Sequence, residues 1–434
     1  MIKKPFFKCG STLTVYVMTC LLAVNVANAE AVKTANTKTA MTADRSSITL
    51  QRWLNKNVSN HPSVLAAKAA VDSAGFQLIA ADKALYNPNL ELDAETAETD
   101  SASIGLSQTI DWGDTRGART EMASSQRAAA SYAYEAERRV IAQAFLSGLS
   151  DYHSSRALKE LAEQGYTLMR RSAKLAKQRF SAGDLNKVEV DLANLTHAQA
   201  RFQRADAVSQ HVRATQNLIA LTGSANTDWP ALLSTFPDPE AQVQEIEKSV
   251  RQLPQMRAIL SRVKAAQSNI KVQAGQGSVN PTVAFRVGKE ETTTLLGLNL
   301  SVPLQLRNNF KAEVDVANAE MIQAERESMD VYRKLKSRLE VALASYQLSR
   351  SAWLSWQASG EDTLSEQIKL LERLWKAGEI NTTDYLIQLN QALQTKASAI
   401  KQRGRMWTDW SEWLLASGNI GQWLPATKNT REYK

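Results

Sequence analysis

The side chains with the clearest capacity for chemistry are four histidines, His61, His153, His197 and His211, and a run of carboxylates at Glu91, Asp93 and Glu95. The histidines are scattered, and none stands in a His-x-x-x-His pair or another ligand spacing, so they do not read as a metal centre. The sequence holds two cysteines, Cys9 and Cys20, no glycine-rich phosphate cradle, and no Ser, His and Asp set in a recognisable context. No catalytic residue, cofactor or metal is therefore expected, and the chain does not read as an enzyme. Trp407, Trp410 and Trp413 could stack on a ligand, yet their helical spacing reads first as core or belt packing. The carboxylates alternate with Leu90, Leu92 and Ala94, which puts all three on the wet face of a strand, and Arg286 falls on the wet face of a similar strand later on. Electrostatic lining of a water-filled passage is the chemistry open to them; so is a plain need for polar residues there.

Those carboxylates must be positioned by strands. Leu90, Leu92, Ala94 and Thr96 share one face, and Ala102, Ile104, Leu106 and Ile110 do the same in a partner run, with a turn near 99–101. A second pair follows, with Val283, Phe285 and Val287 opposing Ala284, Arg286 and Gly288, and Leu296, Leu298, Leu300 and Val302 opposing Gly297, Asn299 and Ser301; Pro303 closes it. Each run is about nine or ten residues long, enough to cross a bilayer as a tilted barrel strand. Four strands cannot close a barrel around a channel, and open edges are prohibited in lipid, so several chains would have to share one barrel. The alternative is a periplasmic protein whose hairpins rest their apolar face on a helix layer.

The start of the chain points to export. Lys3, Lys4 and Lys8 precede an apolar stretch from Leu13 to Val26 that ends in Ala27-Asn28-Ala29, the order of a cleavable signal over 1–29. Cys20 follows Thr19, a poor context for lipid attachment. Loss of the signal removes both cysteines and lowers the formal charge from +8 to +5, spread too thinly for a nucleic-acid partner. With 44% hydrophobic and 22% charged residues the chain folds, and no later segment reads as a transmembrane helix.

The remainder is written twice. Asn87-Pro88-Asn89 recurs as Asn280-Pro281-Thr282, Gly105-Leu106-Ser107 as Gly297-Leu298-Asn299, and Phe180-Ser181-Ala182-Gly183-Asp184-Leu185-Asn186 as Trp375-Lys376-Ala377-Gly378-Glu379-Ile380-Asn381. The domain reading is a flexible segment at 30–49, a first repeat at 50–223, a linker at 224–245, a second repeat at 246–418 and a tail at 419–434. Each repeat holds a helix, a β-hairpin (89–111 and 282–303), a very long proline-free helix (115–182 and 308–377), a turn at Gly183 or Gly378, and a helix of about half that length. Glycine just past a helix and asparagine at the next N-cap make these turns the tips of helical hairpins. Helices of this length need long neighbours, as in coiled coils.

These segments together resemble the TolC-type outer-membrane efflux proteins from about Leu50 to Gly418. The likeness rests on Gly105-Leu106-Ser107-Gln108-Thr109-Ile110-Asp111-Trp112-Gly113, on Leu298-Asn299-Leu300-Ser301-Val302-Pro303-Leu304, and on the tips Arg179-Phe180-Ser181-Ala182-Gly183 and Trp375-Lys376-Ala377-Gly378. It implies a mainly α chain with a small β part, a homotrimer with a trimeric α-barrel and a shared twelve-stranded transmembrane β-barrel. The expected place is the outer membrane with a large periplasmic part, and the expected partners are a periplasmic adaptor and an inner-membrane pump. Asp111-Trp112-Gly113-Asp114-Thr115-Arg116 looks most like the branch serving heavy-metal exporters of the cobalt-zinc-cadmium type. A duct for type I secretion, or a periplasmic adaptor, are the alternative functions. By the same resemblance Asp384, with Glu189 equivalent to it, matches the acidic residues that narrow the periplasmic mouth, and Glu91, Asp93, Glu95 and Arg286 would line the lumen. Asp384 and Glu189 also suit a simpler role, as first-turn acids complementing the helix dipole after Asn381 and Asn186.

Overall fold

A computed structural model of the chain describes residues 47–96, 100–233, 236–239 and 246–425. Its contacts divide it into two units. The smaller unit runs to Trp53 and includes Asp228–Pro237; within it residues 47–53 are helical, and the described residues from 228 are neither helix nor strand.

The larger unit, Leu54–Thr227 with Asp238 onwards, holds the elements that matter for function. In order they are α1 (Pro62–Ala81), β1 (Asn89–Thr96), β2 (Asp100–Thr109), α2 (Thr115–Ser181), α3 (Lys187–Thr222), α4 (Ile246–Gln252), α5 (Pro254–Gln276), β3 (Thr282–Glu290), β4 (Thr293–Ser301), α6 (Lys311–Ser359), α7 (Glu361–Ala377), α8 (Thr382–Ser417) and a 3₁₀ turn (Asn419–Trp423). The chain is mainly α with one small sheet. Helix α2 has 67 residues, about 100 Å at 1.5 Å per residue.

The repeat is visible in the backbone. The left-handed glycines fall in two pairs at one offset, Gly183 with Gly378 and Gly223 with Gly418, and non-glycine residues with positive φ, Asp114 and Phe310, stand at the N-caps of both long helices. Asp114 and Asp111 serve the first turn of α2: Gly117 N–H donates to Asp114, and Thr115 and Arg116 N–H donate to Asp111. The four strands form one antiparallel sheet in the order β1-β2-β3-β4, so the two hairpins lie side by side and β1 and β4 are its edges.

Three expectations need correction. Asp100 and Ser101 pair with Thr96 and Glu95, so they belong to the strand and not to a turn at 99–101, of which Thr99 lies outside the described residues. The second long helix is divided at Gly360, where a Cβ would stand 2.3 Å from the ring of Trp356; the indole packs over the backbone, and glycine's weak helix preference sets the break there. Finally, α1 is long and apolar enough to cross a membrane by length and composition. Its alanines raise that apolarity while Lys68 and Asp72 interrupt it, and in the fold it lies along α2.

Close helix packing depends on small residues. Gly404 of α8 has Ser154 of α2 at 2.3 Å from where a Cβ would be, and Ser150 Oγ donates to the Gly404 carbonyl at 3.0 Å. Trp407, Trp410 and Trp413 are buried at 0–1% exposure, with Trp413 stacked on Tyr346 and Trp407 edge-on to Trp410. They are core.

Candidate functional sites on the sheet and at the helical turns

The register aligns the apolar positions of all four strands. Leu90 stands opposite Leu106, Leu106 opposite Phe285 and Phe285 opposite Leu298; the next row is Leu92, Ile104, Val287 and Leu296. Side chains in a pleated sheet alternate faces, so these rows share one side. That side is bare: Leu92, Leu296 and Leu298 are 71%, 72% and 78% exposed. Among the described residues no helix layer covers it, in contrast to the half-buried alternative. Water does not stabilise so broad an apolar face.

The opposite face carries the predicted polar residues. One of its rows is Glu91, Gly105, Arg286 and Gly297. Gly105 and Gly297 flank Arg286 with no side chain, which leaves the guanidinium room to reach across β2. It sits 3.6 Å from Glu91 and 3.5 Å from Asp93, and Ser103 Oγ donates to Asp93 at 3.3 Å. The structure thus gathers Glu91, Asp93 and Arg286. Glu95 is on the same face, one row beyond Asp93, opposite Ser101.

At the other end of the long helices, Gly183 and Gly378 turn the chain with φ of 84° and 81°. Only glycine takes that conformation without strain, and Gly378→Ala is expected to cost about 1–2 kcal/mol, seen as faster amide exchange across the α7–α8 turn. Asn186 and Asn381 cap the returning helices. Glu189 closes a capping box: its N–H donates to the Asn186 side chain while its carboxylate accepts from Asn186 N–H at 3.1 Å. Asp384 N–H donates to Asn381 Oδ1 at 2.7 Å, and the Asn381 amide donates back to the Asp384 carboxylate at 2.8 Å. Both acids therefore hold a helix start, whatever else they do.

The two turns are not independent. Met169, Ala173 and Ala176 of α2, Ala193 and Ala200 of α3, and Trp375, Tyr385, Leu386 and Leu389 of the second hairpin form one apolar cluster. Trp375 stacks on Tyr385 at 4.2 Å with the rings 3° apart, the Arg179 guanidinium lies 5.6 Å from the Trp375 ring, and Trp375 Nε1 donates to Thr382 at 3.4 Å. Burial pushes the Tyr385 hydroxyl above its usual range, so it stays neutral. In the sequence Arg179 and Trp375 stand only as parts of the tip motifs. Their joint role was invisible because the repeat equates Trp375 with Phe180, and Phe180 is 44% exposed.

A sheet with a bare apolar side and polar reverse, joined to paired helical hairpins, invites comparison with known proteins. The family model described as outer membrane efflux protein matches residues 53–224. Over that stretch the chain matches the outer membrane efflux protein family. It is similar to the cobalt-zinc-cadmium resistance protein CzcC of Cupriavidus metallidurans, 22% identical over 316 residues, 70% of this chain and 73% of that one. Its fold is similar to the Campylobacter jejuni CmeC outer membrane channel, with a TM-score of 0.71 and 14% identity over 85% of each chain. The outer membrane protein VceC of Vibrio cholerae gives 0.69 and 15% identity over 85% of this chain and 96% of that one.

An outer membrane efflux protein lies in the outer membrane with a large periplasmic part, and members of the family are channels. The remaining predicted chemistry in this chain takes structural form. His61 caps α1, accepting from Ser63 N–H, His197 packs on Tyr166, and His211 meets Ser155 Oγ at 3.3 Å. Among the described residues no group of three or more His, Cys, Asp or Glu side chains is placed to hold a metal ion.

Proposed function

We propose that three copies of this chain close a twelve-stranded barrel in the outer membrane, and that their helical hairpins form a passive duct fed by a periplasmic adaptor and an inner-membrane pump. The observation that carries this reading is the four-stranded sheet: one side is apolar through its central rows and bare, and both edges, β1 and β4, are open. An edge in lipid must be paired, and eight or more strands are needed to enclose a passage. Helix α3 supports the same reading, because Val188, Leu195 and Phe202 repeat every seven residues and are 76%, 69% and 76% exposed, a coiled-coil seam waiting for a partner helix. Cross-linking and heat-modifiability of outer-membrane fractions test it: a trimer-sized band is expected, and a monomer in the soluble periplasm would refute it.

Heavy-metal cations are the proposed cargo, on the strength of the CzcC likeness and the carboxylates of the polar sheet face. A strain lacking the chain should become sensitive to cobalt, zinc or cadmium, and unchanged tolerance to all three would remove the cargo assignment. Glu91, Asp93, Glu95 and Arg286 line the barrel lumen in this reading. Arg286→Gln leaves two carboxylates per copy without their cation, so single-channel reversal potentials under a salt gradient should shift toward stronger cation preference. Asp384, repeated around the ring, is the proposed narrowing of the periplasmic mouth, with Glu189 beside it as a capping acid. Asp384→Asn should raise conductance while leaving the helix start folded.

A further inference from the structure

The bare apolar face does not stop where the sheet stops. Strands β2 and β4 end at Thr109 and Ser301, both paired with Thr282. Past that row Leu304 and Leu306 are 75% and 87% exposed, and Trp112 is 72% exposed. These are among the most exposed large apolar side chains of the molecule, yet the backbone carrying them is anchored. Gln305, between the two leucines, donates to the carbonyls of Gln276 and Ser278 at 3.2 and 3.0 Å, which turns its neighbours outward. Trp112 N–H donates to Asn280 Oδ1 at 3.0 Å, and Ile110 N–H to the Pro281 carbonyl at 2.9 Å. An apolar side chain held rigidly outward, against the hydrophobic effect, marks a surface that is not in water when the protein works.

We propose that Trp112, Leu304 and Leu306 form a shelf below the sheet that seats in the interfacial zone of the periplasmic leaflet, with Arg307 at the level of the lipid phosphates. The occupant is phospholipid. Continuity with the apolar sheet face argues for it, as does position: this end of the sheet leads into α2 and α6, the long helices of the periplasmic part. An indole and a guanidinium beside leucines is the composition that favours the headgroup boundary. The shelf widens the membrane contact beyond the eight to ten residues of each strand and fixes how deep the barrel sits. The inference rests on the membrane-spanning reading of the sheet.

The experiment separates the two. Single cysteines at Leu298→Cys, Leu304→Cys and Leu306→Cys, in a full chain with Cys9 and Cys20 replaced by serine, are labelled with an environment-sensitive fluorophore. The protein is then reconstituted in vesicles of phosphatidylethanolamine and phosphatidylglycerol brominated either near the headgroup or near the chain end. Labels at 304 and 306 should lose emission mainly to headgroup-proximal bromine, and the label at 298 mainly to deep bromine. Quenching at 298 with none at 304 and 306 overturns the shelf and leaves the spanning sheet standing. No quenching at 298 overturns both.

Discussion

Leu298→Arg is expected to keep the chain out of the outer membrane. Leu298 is 78% exposed and sits in the row with Leu90, Leu106 and Phe285, so its side chain meets acyl chains when the sheet spans a bilayer. A cation on the lipid face of a barrel costs about 2–4 kcal/mol at the midplane, and in a ring of three it is charged to each copy. That cumulative cost rivals the stability of a whole domain. The matched control is Asn299→Arg, one residue along and on the other side of the sheet, opposite Ala284. It places the same charge on the polar face, the proposed lumen side, and should insert normally. Fractionation of the two variants decides the assignment of faces: equal insertion would mean that neither side meets lipid.

Trp375→Ala is expected to loosen the turn end of the helices by about 3–5 kcal/mol, the range for removing a large buried aromatic, with more lost from the stack on Tyr385. Trp375 is 5% exposed and joins α7 to α2 through Arg179 and the shared cluster. The effect should be local, so amide exchange should rise in 165–200 and 365–392 while the Trp407 to Trp413 region keeps its protection. Phe180→Ala tests the logic. Phe180 occupies the equivalent place in the first repeat but is 44% exposed, so the isolated chain should change by no more than about 0.5 kcal/mol. A larger loss in the assembled protein than in the isolated chain would show that a neighbouring chain covers Phe180.

The hairpins and strands were legible because their signals are local. Alternation from Leu90 to Thr96 needs no tertiary knowledge, and the turn chemistry of Gly183 with Asn186 and Gly378 with Asn381 is set within seven residues. What escaped depends on distant packing. Nothing in the repeat says that α2 covers Trp375 and leaves Phe180 bare, because equivalent sequence positions face different neighbours. Gly360 reads as one weak residue in a helix until Trp356 lies on it. The pattern of leucines and carboxylates showed which residues share a face, but only the register brought Arg286 to Glu91 and Asp93 across Gly105 of β2. The acids at the turns show the converse: the resemblance named Asp384 and Glu189 for the mouth, and the bonds that the fold displays are those of the simpler first-turn role weighed beside it.

The open edges bear on inheritance as well as architecture. In the proposed ring of three the β4 edge of each copy meets the β1 edge of the next, a head-to-tail contact in which every copy serves two neighbours. A copy with a blunted β4 edge still offers a sound β1 edge, so it is recruited into rings that it then prevents from closing. When such an allele is expressed alongside the intact gene in equal amounts, only rings drawn entirely from intact copies conduct, about one in eight for random assembly of three. Damage at this edge should therefore behave as genetically dominant, whereas loss of the whole chain should be recessive.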